Sequence, residues 1–320
     1  MENQTREAQE KRDYFIPASI LISVVILSST LIYTAGLSAS DTVSEENQSL
    51  ASPTEEKVLP SRGVVLPATW GDIGVQLVEA GVIDSEKLKA IYAERGNFTP
   101  EYEKLLTGKT NGKLKITEEN AGYLLNLLWA LGLGSKNPVL DFGEMMDPKY
   151  GGAGRFASTA GWTVAKGDAM DHYSKHSFFR LTDEQQELVD RISKGIYRPC
   201  CGNSTHFPDC NHGMAMLGLL QLMASQGVGE AEMWKAALTA NSYWFPDTYL
   251  TIAAYMEKNG VDWNNVSPKE VLGADYSSSS GYARISSQVE PRNELRGGSG
   301  CGVGAVAPVK QARAQVGCGI

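Results

Sequence analysis

The chain has 320 residues, 42% of them hydrophobic and 21% charged, enough for one large or two modest domains with a proper core. Its net charge of -8 and pI near 5.2 exclude nucleic acid as the main partner. Neutralising phosphates needs a basic face, and no run of Lys and Arg supplies one.

Residues 14–37 read YFIPASILISVVILSSTLIYTAGL, 24 positions without a charge. At 1.5 Å per residue, about 20 such positions cross a bilayer core of about 30 Å. Tyr14 and Tyr33 sit near the two ends, where aromatic rings favour the interface. Pro17 falls in the first turn, where a helix tolerates it. The segment is therefore predicted to be a transmembrane anchor; the alternative is a signal peptide cleaved near Thr34-Ala35-Gly36. Arg6, Lys11 and Arg12 precede it, whereas the first basic residue beyond it is Lys57. By the positive-inside rule the N-terminus is predicted inside and the body outside the cell membrane, with the lipid bilayer as a partner.

Residues 38–62 are polar and Ser-rich and read as a disordered tether. The body, residues 63–275, is predicted to be all-α. Helices are expected over about 70–80 and over 85–95, the second capped by Asp84 and stopped by Gly96. Thr99 followed by Pro100 has the form of an N-cap with proline at the first helical position. Residues 118–131 are strongly apolar and predict a central helix. Residues 147–167 are glycine-rich and predicted irregular. Thr182 and Gln185 form a capping box opening a helix to about Ile196. Further helices are expected at 213–226, 230–241 and 247–258, with a short one opened by Ser267-Pro268. Strand signals are scarce, since Asn111-Gly112 and Asn259-Gly260 lack alternating flanks. Residues 276–320, rich in Ser and Gly and carrying Cys301 and Cys318, read as a mostly unstructured tail.

All four histidines, His172, His176, His206 and His212, fall within 41 residues of one another. Cys200, Cys201 and Cys210 lie in the same stretch, which reads RPCCGNSTHFPDCNHGMAM. His172 and His176 are four apart and share a face if that stretch is helical. Thiolate, imidazole and thioether donors together suit copper or zinc better than magnesium or calcium. The predicted ligands are Cys200, Cys201, His206, Cys210 and His212, with His172, His176 and Met214 supplementary. Asp209 is placed to cap a helix starting near Cys210, whose N-terminus would favour the thiolate. Asp171 is placed to orient an imidazole. The expectation is a membrane-tethered, extracytoplasmic metal-binding protein, with a metal donor or acceptor protein as a further partner. Two alternatives stand beside it: a disulfide-stabilised scaffold, and a thiol oxidoreductase using Cys200 and Cys201. The pattern lacks the CxxC knuckles of zinc fingers and the CxxCH of covalent haem. The glycine-rich run fails the phosphate-loop pattern, and no GxSxG element is present, so no catalytic residue is assigned.

The opening YFIPASIL resembles the anchors of extracytoplasmic thioredoxin-like proteins of candidate-phylum bacteria. The rest departs from them, having no CxxC and no βαβ pattern, so their oxidoreductase activity is not implied. The blocks GGAGRFASTAGWTVAKGDAMDHYSKH and RPCCGNSTHFPDCNHGMAMLGLL resemble membrane-anchored bacterial proteins of the same kind, across about residues 64–258. The resemblance implies a bacterial cell-surface setting and no activity.

Overall fold

The structure, a computed structural model, describes residues 52–290. The predicted anchor, most of the tether, and Cys301 and Cys318 lie outside the described residues. Among those residues no helix is long and apolar enough to cross a membrane.

The body is helix-rich, with one small sheet. In chain order come helix α1 (Pro53–Val58), strand β1 (Val64–Gly71), α2 (Ile73–Glu79), α3 (Ser85–Ala93), α4 (Pro100–Thr107) and strand β2 (Asn111–Ile116). The central helix α5 (Ala121–Gly134) follows, then the short α6 (Pro138–Asp141) and α7 (Ala157–Ala160) among single 3-10 turns. The second half holds α8 (Asp183–Gly195), α9 (Asn211–Ser225), α10 (Glu230–Trp244) and α11 (Pro246–Lys258). It closes with α12 (Pro268–Val271), α13 (Ala274–Ser277) and α14 (Ser279–Ser286).

Local chemistry sets most helix starts. The Asp84 carboxylate accepts from the amides of Glu86 and Lys87, and the Thr99 hydroxyl from that of Tyr102. Thr182 and Gln185 make the reciprocal capping box that the sequence predicts.

Helices α5 and α9 form the centre of the core, and each is buried nearly all round. Apolar residues on every side leave no solvent face, which is how a helix reads when it is covered on all sides. Two glycines set their approach. A Cβ on Gly132 would lie 2.0 Å from the Met214 carbonyl oxygen, and one on Gly218 would lie 2.4 Å from that of Leu128. The two backbones therefore touch where no other residue fits.

Three expectations need correction. The body is not all-α, because β1 and β2 pair antiparallel. Pro67 interrupts β1 and cannot donate to a ladder, and the register shifts between Val65 and Thr69. The side-chain amide of Gln226 bonds both the N–H and the C=O of Thr69 at 2.8 and 2.7 Å, covering that point of the strand as a neighbouring strand would. The tether does not run to residue 62, since α1 is capped by Ser52 and starts at proline. The tail does not begin at 276, since α13 and α14 dock Ser277 and Ile285 into the interior.

Candidate metal centre

A loop from Tyr197 to Cys210 joins α8 to α9. Tyr197 and Ser204 pair in an isolated antiparallel bridge that closes its neck. The Tyr197 amide bonds the Leu272 carbonyl at 2.8 Å, and the Ser279 amide bonds that of Cys201 at 3.0 Å. From the other side the Ser158 amide bonds the Asp209 carbonyl at 3.0 Å. The loop is thus held by both the glycine-rich segment and the C-terminal helices.

Within it Cys200, Cys201 and Cys210 bring their sulfurs to within 4.8 Å of one another. Cys200 and Cys210 are 3.7 Å apart, and all three are unbridged thiols. Cys210 is buried and the other two are half-buried. This is the only group of three or more Cys, His, Asp or Glu ligand atoms so gathered among the described residues.

Arg198 lies beside this cluster and was not singled out from the sequence. Its side chain is fully buried. One guanidinium nitrogen donates to Cys201 Sγ at 3.3 Å, to the Phe207 carbonyl at 3.2 Å and to Asp209 Oδ1 at 2.6 Å. It rests on Gly213, where a Cβ would come within 2.7 Å of the guanidinium carbon. Burial disfavours the cation, but Cys210, Cys201, Cys200 and Asp209 outweigh it and hold Arg198 firmly protonated.

The three thiols are unequal. Hydrogen bonds from Cys200 and Cys201, with help from Arg198 and His212 against burial, pull Cys210 well below an ordinary thiol. Hydrogen bonds to Cys201 and Cys210, together with burial, push Cys200 up. Cys201 accepts from Cys200, which lowers it, yet its own bond to Cys210 and its burial push it up to about 11. Cys210 is also the N-cap of the fifteen-residue α9, where the helix dipole favours an anion. Of the three, Cys210 is therefore the one most inclined toward the thiolate form.

The other predicted donors part company. His206 is held by α8, with Nε2 2.7 Å from Asp190 Oδ1. His172 and His176 pair with each other, ring nitrogen to ring nitrogen at 3.1 Å. A turn containing Ser174 at φ 54° brings them together, not one face of a helix. His172 Nε2 lies 2.8 Å from the Lys166 carbonyl, which only accepts, so Nε2 carries the proton and Nδ1 accepts from His176. Asp171 orients no imidazole; it accepts from the Asp168 amide in a capping box. Asp209 does not cap α9, being engaged by Arg198 and Asn203. Met214 is buried in the core with its carbonyl against Gly132, a packing position. His212 is fully buried next to Cys210, outside the sulfur group, and neither ring nitrogen has a hydrogen-bond partner.

Three thiols at this spacing can grip a soft or borderline metal ion. With metal–sulfur bonds of about 2.3 Å, tetrahedral geometry sets sulfurs about 3.8 Å apart and trigonal geometry about 4.0 Å. The Cys200–Cys210 separation matches both within a few tenths. The same separation also permits a disulfide after a modest approach, since a bond needs about 2.05 Å. Comparison with protein-family models, with curated proteins and with solved structures finds no match to this chain.

Proposed function

We propose that the chain is a metal-binding protein whose centre is Cys200, Cys201 and Cys210, taking copper or zinc. The observation that carries this is the gathering of three sulfurs within 4.8 Å, one of them poised as a thiolate at a helix N-terminus. Soft donors of this kind select copper and zinc over magnesium and calcium. Arg198 supports the reading from the other side. A buried cation beside the thiols offsets the negative charge that two or three thiolates would bring.

The setting belongs to the same proposal. Residues 14–37 carry 24 uncharged positions with Lys and Arg biased to the N-terminal side, the pattern of an inside-anchored, outside-facing protein. On this reading the body works outside the cytoplasm and exchanges its ion with a donor or acceptor protein. Membrane fractionation with protease accessibility tests the setting; a body protected in intact cells would overturn it.

Elemental analysis of the full chain, purified without chelators and reconstituted with zinc or copper(I), tests the centre. One ion per chain, lost on chelation and absent from a variant lacking the thiols, is the expected result. Three thiols that all react freely with a thiol reagent in the presence of excess metal would refute it.

A further inference from the structure

Of the four histidines, His212 alone has both ring nitrogens buried and unpartnered. Buried polar atoms are nearly always hydrogen-bonded, and an exception calls for an explanation. His206 is spoken for by Asp190, and His172 and His176 by each other and Lys166. His212 sits two residues after Cys210, in the first turn of α9. Its ring lies against Phe245, with centroids 4.3 Å apart, and 6.1 Å from Trp244. Both aromatics are buried; Phe245 has no polar atom, and the indole N–H of Trp244, itself without a partner, does not bond the imidazole.

We propose that His212 is the fourth donor of the centre, so that the ion is held by three cysteine sulfurs and one imidazole nitrogen and the site is built for zinc. This rests on the reading of the three cysteines as a metal centre and settles which ion they serve. Thiolates alone satisfy copper(I), whereas three thiolates and one imidazole are a closed tetrahedral shell for zinc. The sulfurs of Cys200 and Cys210 already stand at the tetrahedral spacing. Of the other groups beside them, Asp209 is engaged by Arg198 and Asn203, the Arg198 guanidinium is a cation, and the unpartnered hydroxyl of Thr205 is a poorer zinc ligand than an imidazole. The imidazole is not yet within 4.8 Å of all three sulfurs, so closure of the shell requires the ring to turn from Phe245 toward the loop. Residues 200–203 lie outside helix, strand and bridge, with Gly202 exposed, and are the side able to move to meet it.

Cobalt(II) is the probe, because its visible bands report tetrahedral geometry and its charge-transfer bands count sulfurs. The full chain should bind one cobalt(II) with intense tetrahedral bands, and zinc should displace it. His212→Ala should weaken zinc binding by about tenfold or more, the scale on which lost ligand-shell interactions are felt. It should also dim and shift the visible bands while leaving the sulfur charge transfer. His212→Cys should recover both affinity and band intensity, with added sulfur charge transfer. If His212→Ala matches the unaltered chain in affinity and spectrum, the fourth-donor assignment falls while the three-cysteine centre stands. If the unaltered chain takes up copper(I) but neither cobalt(II) nor zinc, the zinc assignment falls; if it takes up none of the three, the metal centre itself falls. Should His212→Ala fail to fold, His212→Cys still decides: bands identical to those of the unaltered chain mean that position 212 is outside the shell.

Discussion

Replacing Gly132 with alanine perturbs the contact on which both the core and the proposed metal centre depend. The new Cβ would sit 2.0 Å from the Met214 carbonyl oxygen and 3.0 Å from its carbon, where real Cβ contacts do not fall below 3.0 Å. Helices α5 and α9 must part there by about 1 Å, the difference between those two values. A gap of 0.5–1 Å forfeits roughly a quarter to a half of each dispersion contact it opens. Overpacking costs about 1–3 kcal/mol, and a backbone clash belongs at the upper end. Alanine's helix propensity returns about 1 kcal/mol of that. The net is a loss of about 1–2 kcal/mol, or roughly 2–8 °C in Tm for a body of this size. Gly122 in the same helix is the control, because a Cβ there meets nothing within 4 Å. Gly122→Ala should leave Tm unchanged or raise it by up to about 4 °C.

The clash also reaches the site. The Met214 amide bonds the Cys210 carbonyl at 3.0 Å, so displacing Met214 displaces the turn that carries Cys210 and His212. Gly132→Ala should therefore weaken zinc binding as well as stability, while Gly122→Ala alters neither adversely. Calorimetric Tm and a competitive zinc titration on both variants provide the check. A Gly132→Ala chain as stable as the original, binding zinc as tightly, would show that the helices can part without consequence and that the mechanical link is wrong.

Three further outcomes follow from the site and its surroundings. Cys210→Ser should abolish stoichiometric metal while sparing the fold, because serine is a better helix N-cap than cysteine and adds a side-chain cap that α9 lacks; metal content and circular dichroism, measured together, separate the two effects. Oxidation with a mild disulfide-forming reagent should join Cys200 to Cys210, leave one free thiol of the three, and block metal uptake until a reductant is added; peptide mapping that finds Cys200 joined to Cys201 would contradict the 3.7 Å geometry. Acidification should loosen the His172–His176 turn. Burial and His172 hold His176 below the usual histidine value of 6.5, so the fold keeps it neutral while the unfolded chain takes up a proton. Stability is then intact above about pH 6.5 and falls as the pH drops through it. His176→Gln should flatten that fall in Tm, and an unaltered slope would rule the pair out as its source.

What the sequence disclosed depends on the range over which each signal acts. Helix starts were legible because their determinants lie within four residues: Asp84, Thr99-Pro100, Thr182 with Gln185, and Ser267-Pro268 all cap as expected. Strand β1 was hidden because Pro67 argues against a strand, although Leu66, Ala68 and Trp70 alternate inward around it, and because its partner β2 follows some 40 residues later. Strand β2 does alternate, with Leu114 and Ile116 buried and Lys113 and Lys115 exposed, but six residues opening on Asn-Gly resemble a turn. At the site, the cysteines could be picked out by composition, whereas the allegiance of each histidine could not. His206 is claimed by Asp190 on α8, sixteen residues back, and nothing local announces it. Arg198 carried one overlooked signal, an arginine two residues before a cysteine pair with an aspartate preceding the third cysteine. Its seat on Gly213 exists only once the loop has folded over α9.

The same loop geometry would make metal binding at the proposed centre an event felt by the C-terminal helices. Cys201 offers its sulfur to the centre and its carbonyl to the Ser279 amide, at the start of α14. Tyr197, at the loop's neck, donates to Leu272 at the end of α12. An ion that fixes the loop therefore fixes two anchor points of the 272–286 segment. Binding stabilises by about 2.7 kcal/mol when free ion is a hundred times its Kd, and that stabilisation is largest where the ion's ligands connect. Hydrogen exchange followed with and without zinc should show extra protection at the amides of Tyr197 and Ser279, above any rise in strand β1, which does not touch the loop's hydrogen bonds. Equal protection across the body would mean that zinc reports only on global stability. No change at Ser279, with protection confined to residues 198–212, would mean that the C-terminal helices dock independently of the centre and that the clasp transmits nothing.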